Sequence, residues 1–186
     1  MLIATFNCNS VRVRLPIILA WLERHQPDVL ALQETKCTDG EFPVDAFTEA
    51  GWYVVYRGEK TYNGVAVVTY EVPDEVSFGL GDDGGTSETR LACVRLGDVH
   101  VLNTYVPQGH ELETDRFRFK LEWFARLRKY VEARFAERQF WGLLFQEPPR
   151  STRRLLQPGP SRPDGSRGRI SRGDQGFALD PKKCKE

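Results

Sequence analysis

Apolar residues along this chain change their period several times, and each change marks an element. Residues 2–6, L-I-A-T-F, are short, apolar and partly β-branched, and the run closes in the polar cluster N-C-N-S, which predicts a strand. Leu15, Ile18, Trp21, Leu22 and His25 then recur at helical spacing, predicting a helix over 14–25 with Pro16 in its first turn, where a missing N–H is tolerated. Gln26-Pro27-Asp28 ends that helix, because the residue before a proline is pushed away from the α region. V-L-A-L at 29–32 is apolar at every position, as in a strand buried on both faces. A crossover of this length makes the two strands parallel neighbours and brings Asn7 and Glu34 to their carboxyl ends on one edge of the sheet. Ligands in open α/β sheets collect at that edge.

Four more strands are predicted at 52–56, 65–70, 91–96 and 99–105, separated by N-G, G-D-D-G-G and G-D turn signals. Their short connections predict antiparallel pairing. Phe117, Leu121, Phe124, Leu127 and Val131 form an apolar stripe with charges between, which predicts a helix over 112–135 covering one sheet face. Beyond residue 138 the pattern fails. The last 48 residues hold six of the eleven prolines and show neither period, so a largely disordered tail over 139–186 is expected.

Composition sharpens that break. The chain of 186 residues is long enough for one domain with a core, and its 26 basic and 26 acidic residues cancel. The balance conceals two halves: residues 139–186 hold ten basic and five acidic residues, which leaves 16 basic and 21 acidic in 1–138. The four cysteines, Cys8, Cys37, Cys93 and Cys184, form no C-x-x-C pair, which argues against a thiolate zinc site or a disulfide framework. Met1 leads directly into L-I-A-T-F-N, and no apolar stretch approaches the ~20 residues that span a bilayer. A soluble cytoplasmic protein with reduced thiols is the expectation.

Glu34 is the strongest candidate for chemistry. A carboxylate is costly to bury unpaired, so one placed directly after V-L-A-L must meet water, a cation or a donor. Asn7 at the same edge adds an amide oxygen or a donor without adding charge, which suits a hard cation; alone, it would read as a turn residue closing its strand. Tyr105 ends the last strand within N-T-Y-V-P-Q-G and is either a phosphate donor or a core tyrosine with a satisfied hydroxyl. Arg90 opens a strand after an acidic Gly-rich loop and either meets a phosphate or is solvated. Asn63-Gly64 reads as a hairpin turn and Lys36 as a surface charge. His25, His100 and His110 have no metal-ligand spacing, and the chain contains no Walker or Rossmann glycine loop.

In this order and spacing, F-N-C-N-S-V-R-V-R, H-Q-P-D-V-L-A-L-Q-E-T-K, Y-N-G-V-A-V-V-T and V-L-N-T-Y-V-P-Q-G resemble the exonuclease III branch of the AP endonuclease family, within the endonuclease/exonuclease/phosphatase superfamily. The resemblance covers Met1 to about residue 138. It implies a DNase I-like four-layer α/β/β/α sandwich, two sheets face to face with helices outside, of which this chain carries the first half. It also implies Mg²⁺-dependent (or Mn²⁺-dependent) hydrolysis of phosphodiesters in duplex DNA during base-excision repair, at abasic sites and 3′ ends, by a monomer without membrane attachment. Carried over by position, Glu34 and Asn7 are the expected metal site, Tyr105 the catalytic tyrosine at the scissile phosphate, and Arg90 the substrate-binding arginine.

The departures from the family pattern set further expectations. The family's G-D-x-N and closing S-D-H do not occur in these 186 residues, where G-D stands as G-D-D-G, G-D-V-H and G-D-Q-G. Positioned acid–base groups and charge stabilisation each supply several kcal/mol of barrier lowering, so weak or absent catalysis is expected of this polypeptide. The alternative is a non-catalytic fragment that binds DNA weakly through its basic tail. The missing half is also expected to carry the second sheet, leaving the inner face of the first open to water and prone to aggregation. A frameshift near codon 138 is the simplest origin for the change of composition.

Overall fold

A computed structural model describes residues 1–82, 89–109, 111–135 and 143–146. The chain opens with β1 (Ile3–Asn7), α1 (Val11–His25) and β2 (Val29–Gln33), and β1 and β2 run parallel in the register Ile3↔Val29 to Asn7↔Gln33. After a short helix α2 (Val44–Glu49), β3 (Tyr53–Arg57) and β4 (Val65–Thr69) form an antiparallel hairpin, and β4 inserts between β3 and β2. The first sheet therefore has the order β1-β2-β4-β3. Asn63 and Gly64, both at positive φ, lead into β4 at the end of the loop 58–64 that joins this hairpin, and do not form a two-residue turn by themselves.

The second sheet corrects an expectation. β5 (Glu75–Phe78), β6 (Leu91–Leu96), β7 (Val99–Tyr105) and β8 (Leu143–Gln146) form it in that order, within this same chain. Residues 71–74, with Pro73 unable to donate to a ladder, end the first sheet, and the next strand starts another. Its inner face packs on the first sheet. Val29, Val55, Val65 and Val67 on one side meet Ala92, Val94 and Val101 on the other, so the first sheet's inner face is covered rather than open. The two layers of β-branched side chains interdigitate as in any face-to-face sandwich.

Helices close the outer faces. α1 and α2 place Ile18, Leu22 and Phe47 on Leu30, Leu32, Ala66 and Val68. On the other side, α3 (Asp115–Phe135) places Trp123, Leu127 and Phe135 on Leu91, Cys93 and Leu102. The order of layers is α/β/β/α. Two local expectations shift. α1 begins at Val11, so Pro16 lies inside the helix beyond its first turn, and Leu121 of the expected stripe is 53 % exposed while Trp123 is buried. The packed face of α3 thus runs through 123, 127 and 135. β5, β8 and α2 carry no periodic signal long enough to predict them. Among the described residues no helix is long and apolar enough to cross a membrane, and Cys8, Cys37 and Cys93 are free and buried. His110 and, of the tail expected over 139–186, everything but the strand residues 143–146 lie outside the described residues, Cys184 included.

Candidate active site at the strand ends

At one edge of the sandwich, loops that follow the strands are stitched together by backbone hydrogen bonds. Cys8 N–H donates to the Gln33 carbonyl at 2.9 Å, Ser10 to Glu34 at 2.8 Å and Val11 to Thr35 at 3.0 Å, which joins the loops after β1 and β2. Thr35 N–H donates to Gly64 at 3.2 Å and Lys36 to Asn63 at 3.1 Å, and Gly64 N–H in turn reaches Thr89 at 3.1 Å in the second sheet's approach to β6. Tyr105 N–H donates to Arg90 at 2.8 Å. Five non-glycine residues here, Asn9, Ser10, Glu34, Lys36 and Asn63, hold φ between 43° and 90°. Such a concentration of unfavourable backbone persists only where surrounding bonds over-determine it, and it is characteristic of functional edges.

The backbone twist turns Glu34 toward its neighbours. Asn7 donates from Nδ2 to Glu34 Oε1 at 2.7 Å, Lys36 Nζ lies 2.9 Å from Glu34 Oε2, and Tyr105 interacts with the same carboxylate from the opposite sheet. Lys36 also donates to Asn9 Oδ1 at 2.6 Å. Arg90 lies over the Tyr105 ring, its guanidinium carbon 4.8 Å from the centroid, and donates to the Tyr105 carbonyl at 3.3 Å. All four residues singled out in the sequence therefore meet in one cluster. Lys36 and Asn9 join them, with no local signal of it beyond the charge two positions after Glu34.

Electrostatics follow from these contacts. Burial pushes the Glu34 carboxyl up, but the hydrogen bonds from Asn7 and Lys36, with the Lys36 charge and Tyr105 behind them, outweigh it and hold the group below its ordinary 4.5. Glu34 is ionised at neutral pH. The Tyr105 phenol is pushed up to about 12 by burial, the Glu34 charge and its bond to Glu34, against the opposing pull of Arg90. It stays a hydroxyl and a donor. Cys8, beneath the same loops, is raised to about 12 chiefly by burial, which makes it an inert thiol.

A divalent cation can be weighed against this donor set. Among the described residues no group of three or more His, Cys, Asp or Glu side chains converges. Mg²⁺ makes a smaller demand: it keeps several waters and is commonly bound through one or two carboxylates plus substrate phosphates. Glu34, 9 % exposed and ionised, with an amide alongside, meets that demand. The Asn7 amide presents its nitrogen to Glu34 while its oxygen accepts from the Asn9 N–H at 3.2 Å, so ligation through that oxygen requires the amide to turn over.

Fold and edge site together define a class, and comparison with known proteins agrees: residues 4–176 match the model of the Endonuclease/Exonuclease/phosphatase family, and the chain belongs to that family. Within it, the chain belongs to the exonuclease III/AP endonuclease branch. It is 33 % identical over 133 residues to an exodeoxyribonuclease III from Haemophilus influenzae, covering 69 % of this chain and 50 % of that protein. Among solved structures it resembles an AP endonuclease from Archaeoglobus fulgidus at 43 % identity and a TM-score of 0.69, over 73 % of this chain and 52 % of that one. It also resembles a 3′ phosphatase from Neisseria bound to product DNA hairpin, at 37 % identity and a TM-score of 0.72, over 76 % and 56 %. The chain thus spans about half the length of these relatives, although the family model reaches past the composition break at residue 138.

Proposed function

We propose that this chain carries the metal-binding and phosphate-meeting half of a Mg²⁺-dependent DNA repair nuclease, one that hydrolyses phosphodiesters in duplex DNA at abasic sites or 3′ ends. The observation that carries this reading is the ionised Glu34 carboxylate at the strand ends, bonded by Asn7 and Lys36 and faced by Tyr105. Glu34 would hold the ion, with Asn7 as second oxygen donor. The cation, or Mn²⁺ in its place, supplies Lewis-acid charge against a phosphoryl oxygen. Tyr105, a neutral hydroxyl at working pH, donates a hydrogen bond toward that phosphate, and Arg90 against its ring adds positive charge. Lys36 pairs with Glu34 and balances its charge.

The relatives' printed activities support DNA as the substrate class. Turnover by this polypeptide alone is low in this reading, because the 186 residues contain neither G-D-x-N nor S-D-H to activate water. A non-catalytic DNA-binding fragment is the second reading, favoured by the lysine already seated on Glu34. An abasic-site duplex incubated with Mg²⁺, and again with EDTA, separates the two. Slow, EDTA-sensitive nicking that disappears in Glu34→Gln supports the nuclease. Salt-sensitive binding without nicking supports the fragment, and nicking that survives both EDTA and the substitution contradicts the role of Glu34.

A further inference from the structure

The layer between the two sheets is lined mainly by valine, and the side-chain amides that bridge it lie at the end that carries the site. Residues 101, 103 and 105 of β7 alternate with buried Leu102, which faces α3, so Val101, Asn103 and Tyr105 share the face toward the first sheet. Asn103 is fully buried, and its amide makes three bonds to the first sheet: Nδ2 donates to the Leu32 carbonyl and to the Ala66 carbonyl, each at 2.9 Å, and Oδ1 accepts from Gln33 Nε2 at 2.6 Å. Gln33, also fully buried, donates onward to Thr5 Oγ1 at 2.9 Å. Gln33 directly precedes Glu34, and Asn103 lies two residues before Tyr105 on the same face.

Valine layers attract without direction, so they hold two sheets together without selecting how far one slides along the other. A buried amide does select, since it loses its bonds if the register changes by even one position. We propose that Asn103, received by Gln33, is a positioning residue: its three bonds lock the slide of the two sheets so that Tyr105 of one meets Glu34 of the other. The proposal rests on the nuclease reading only for its effect on cleavage.

The test replaces the amides by apolar residues of similar bulk, Gln33→Leu with Asn103→Leu, an exchange that leaves the core packed and removes both polar partners together. In this background and in the unsubstituted chain, urea unfolding is measured for Glu34→Gln, for Tyr105→Phe and for both. The two changes are expected to be non-additive in the unsubstituted chain and additive in the leucine background, with the protein still folding cooperatively. Coupling that persists undiminished in the leucine background overturns the proposal, as does additivity in both backgrounds. Should the leucine pair fail to fold, the same cycle in Asn103→Thr, which keeps a strand-favouring side chain too short for the bonds, gives the same decision. On DNA, the leucine background is expected to lower kcat about 10²-fold with KM little changed, the signature of misplacement by about 1 Å rather than lost binding. Absence of cleavage by the unsubstituted chain would defeat the nuclease reading and leave the unfolding cycle to decide this one.

Discussion

The middle and the end of the inter-sheet layer are built from the same strands and obey different rules. In the middle, Val55, Val67, Val94 and Val101 pack in one apolar cluster, and an apolar residue of similar volume would serve at each. At the end, the same strands present Gln33 and Asn103, whose amides are bonded to particular partners across the layer, and Tyr105, which interacts with Glu34. The difference shows how the fold divides labour. Stability comes from the stretch where side chains are interchangeable, and placement of the charged site comes from the stretch where they are not.

The sharpest way to break this comparison is to import the rule of one region into the other. Val67→Asp sets an unpaired carboxylate in the apolar middle and is expected to cost about 4 kcal/mol or more, enough to abolish the cooperative transition in urea. A folded Val67→Asp protein would show that the middle is not dry. At the other end Glu34→Gln is expected to leave the chain folded but to reduce any Mg²⁺-dependent nicking about 10²–10³-fold, read from initial rates on the abasic duplex.

A smaller effect probes the close approach of the loops behind the site. Gly64 holds φ +88°, and a Cβ there would clash with Thr35 Oγ1 and lie 3.2 Å from Thr35 Cβ, so Gly64→Ala is expected to lower stability by about 1–3 kcal/mol. A melting temperature unchanged in Gly64→Ala would mean that the loop relaxes freely. The smallest expected effect is the pH dependence of stability. Glu34 is held below its ordinary 4.5, so its contribution is present above that value and is lost as pH falls through the lower folded value. Melting curves between neutral pH and pH 3 should show a shallower acid loss for Glu34→Gln than for the unsubstituted chain.

Much of the fold is legible in the sequence because the strands announce themselves by uniform burial: V-L-A-L and V-A-V-V are apolar on both faces and bounded by Pro, Asn or Gly. The parallel β1–β2 pair follows from the length of its crossover. The second sheet is not legible, because whether 91–96 extends the first sheet or faces it depends on long-range packing that no local period records. β5 is only E-V-S-F, too short and polar to stand out, and β8 lies in an apolar run where the surrounding composition predicts no structure. In the site, Asn7 and Glu34 follow from their strand ends. Lys36 does not: it reaches Glu34 only because both residues adopt left-handed backbone, with φ of 54° and 52°, which their types do not favour. Tyr105 likewise reads as equally fit for the core until the sheets are stacked.

The proposed nuclease reading stands or falls with Glu34 as the place where a divalent cation would bind. Paramagnetic broadening of backbone amide resonances by Mn²⁺, titrated into the unsubstituted protein and into Glu34→Gln, tests it most directly. Broadening is expected to centre on residues 7–9, 34–36 and 105, to be competed away by Mg²⁺ and to be absent from the Glu34→Gln protein. Broadening of the same residues to the same extent in both proteins, or broadening centred elsewhere on the chain, would contradict it.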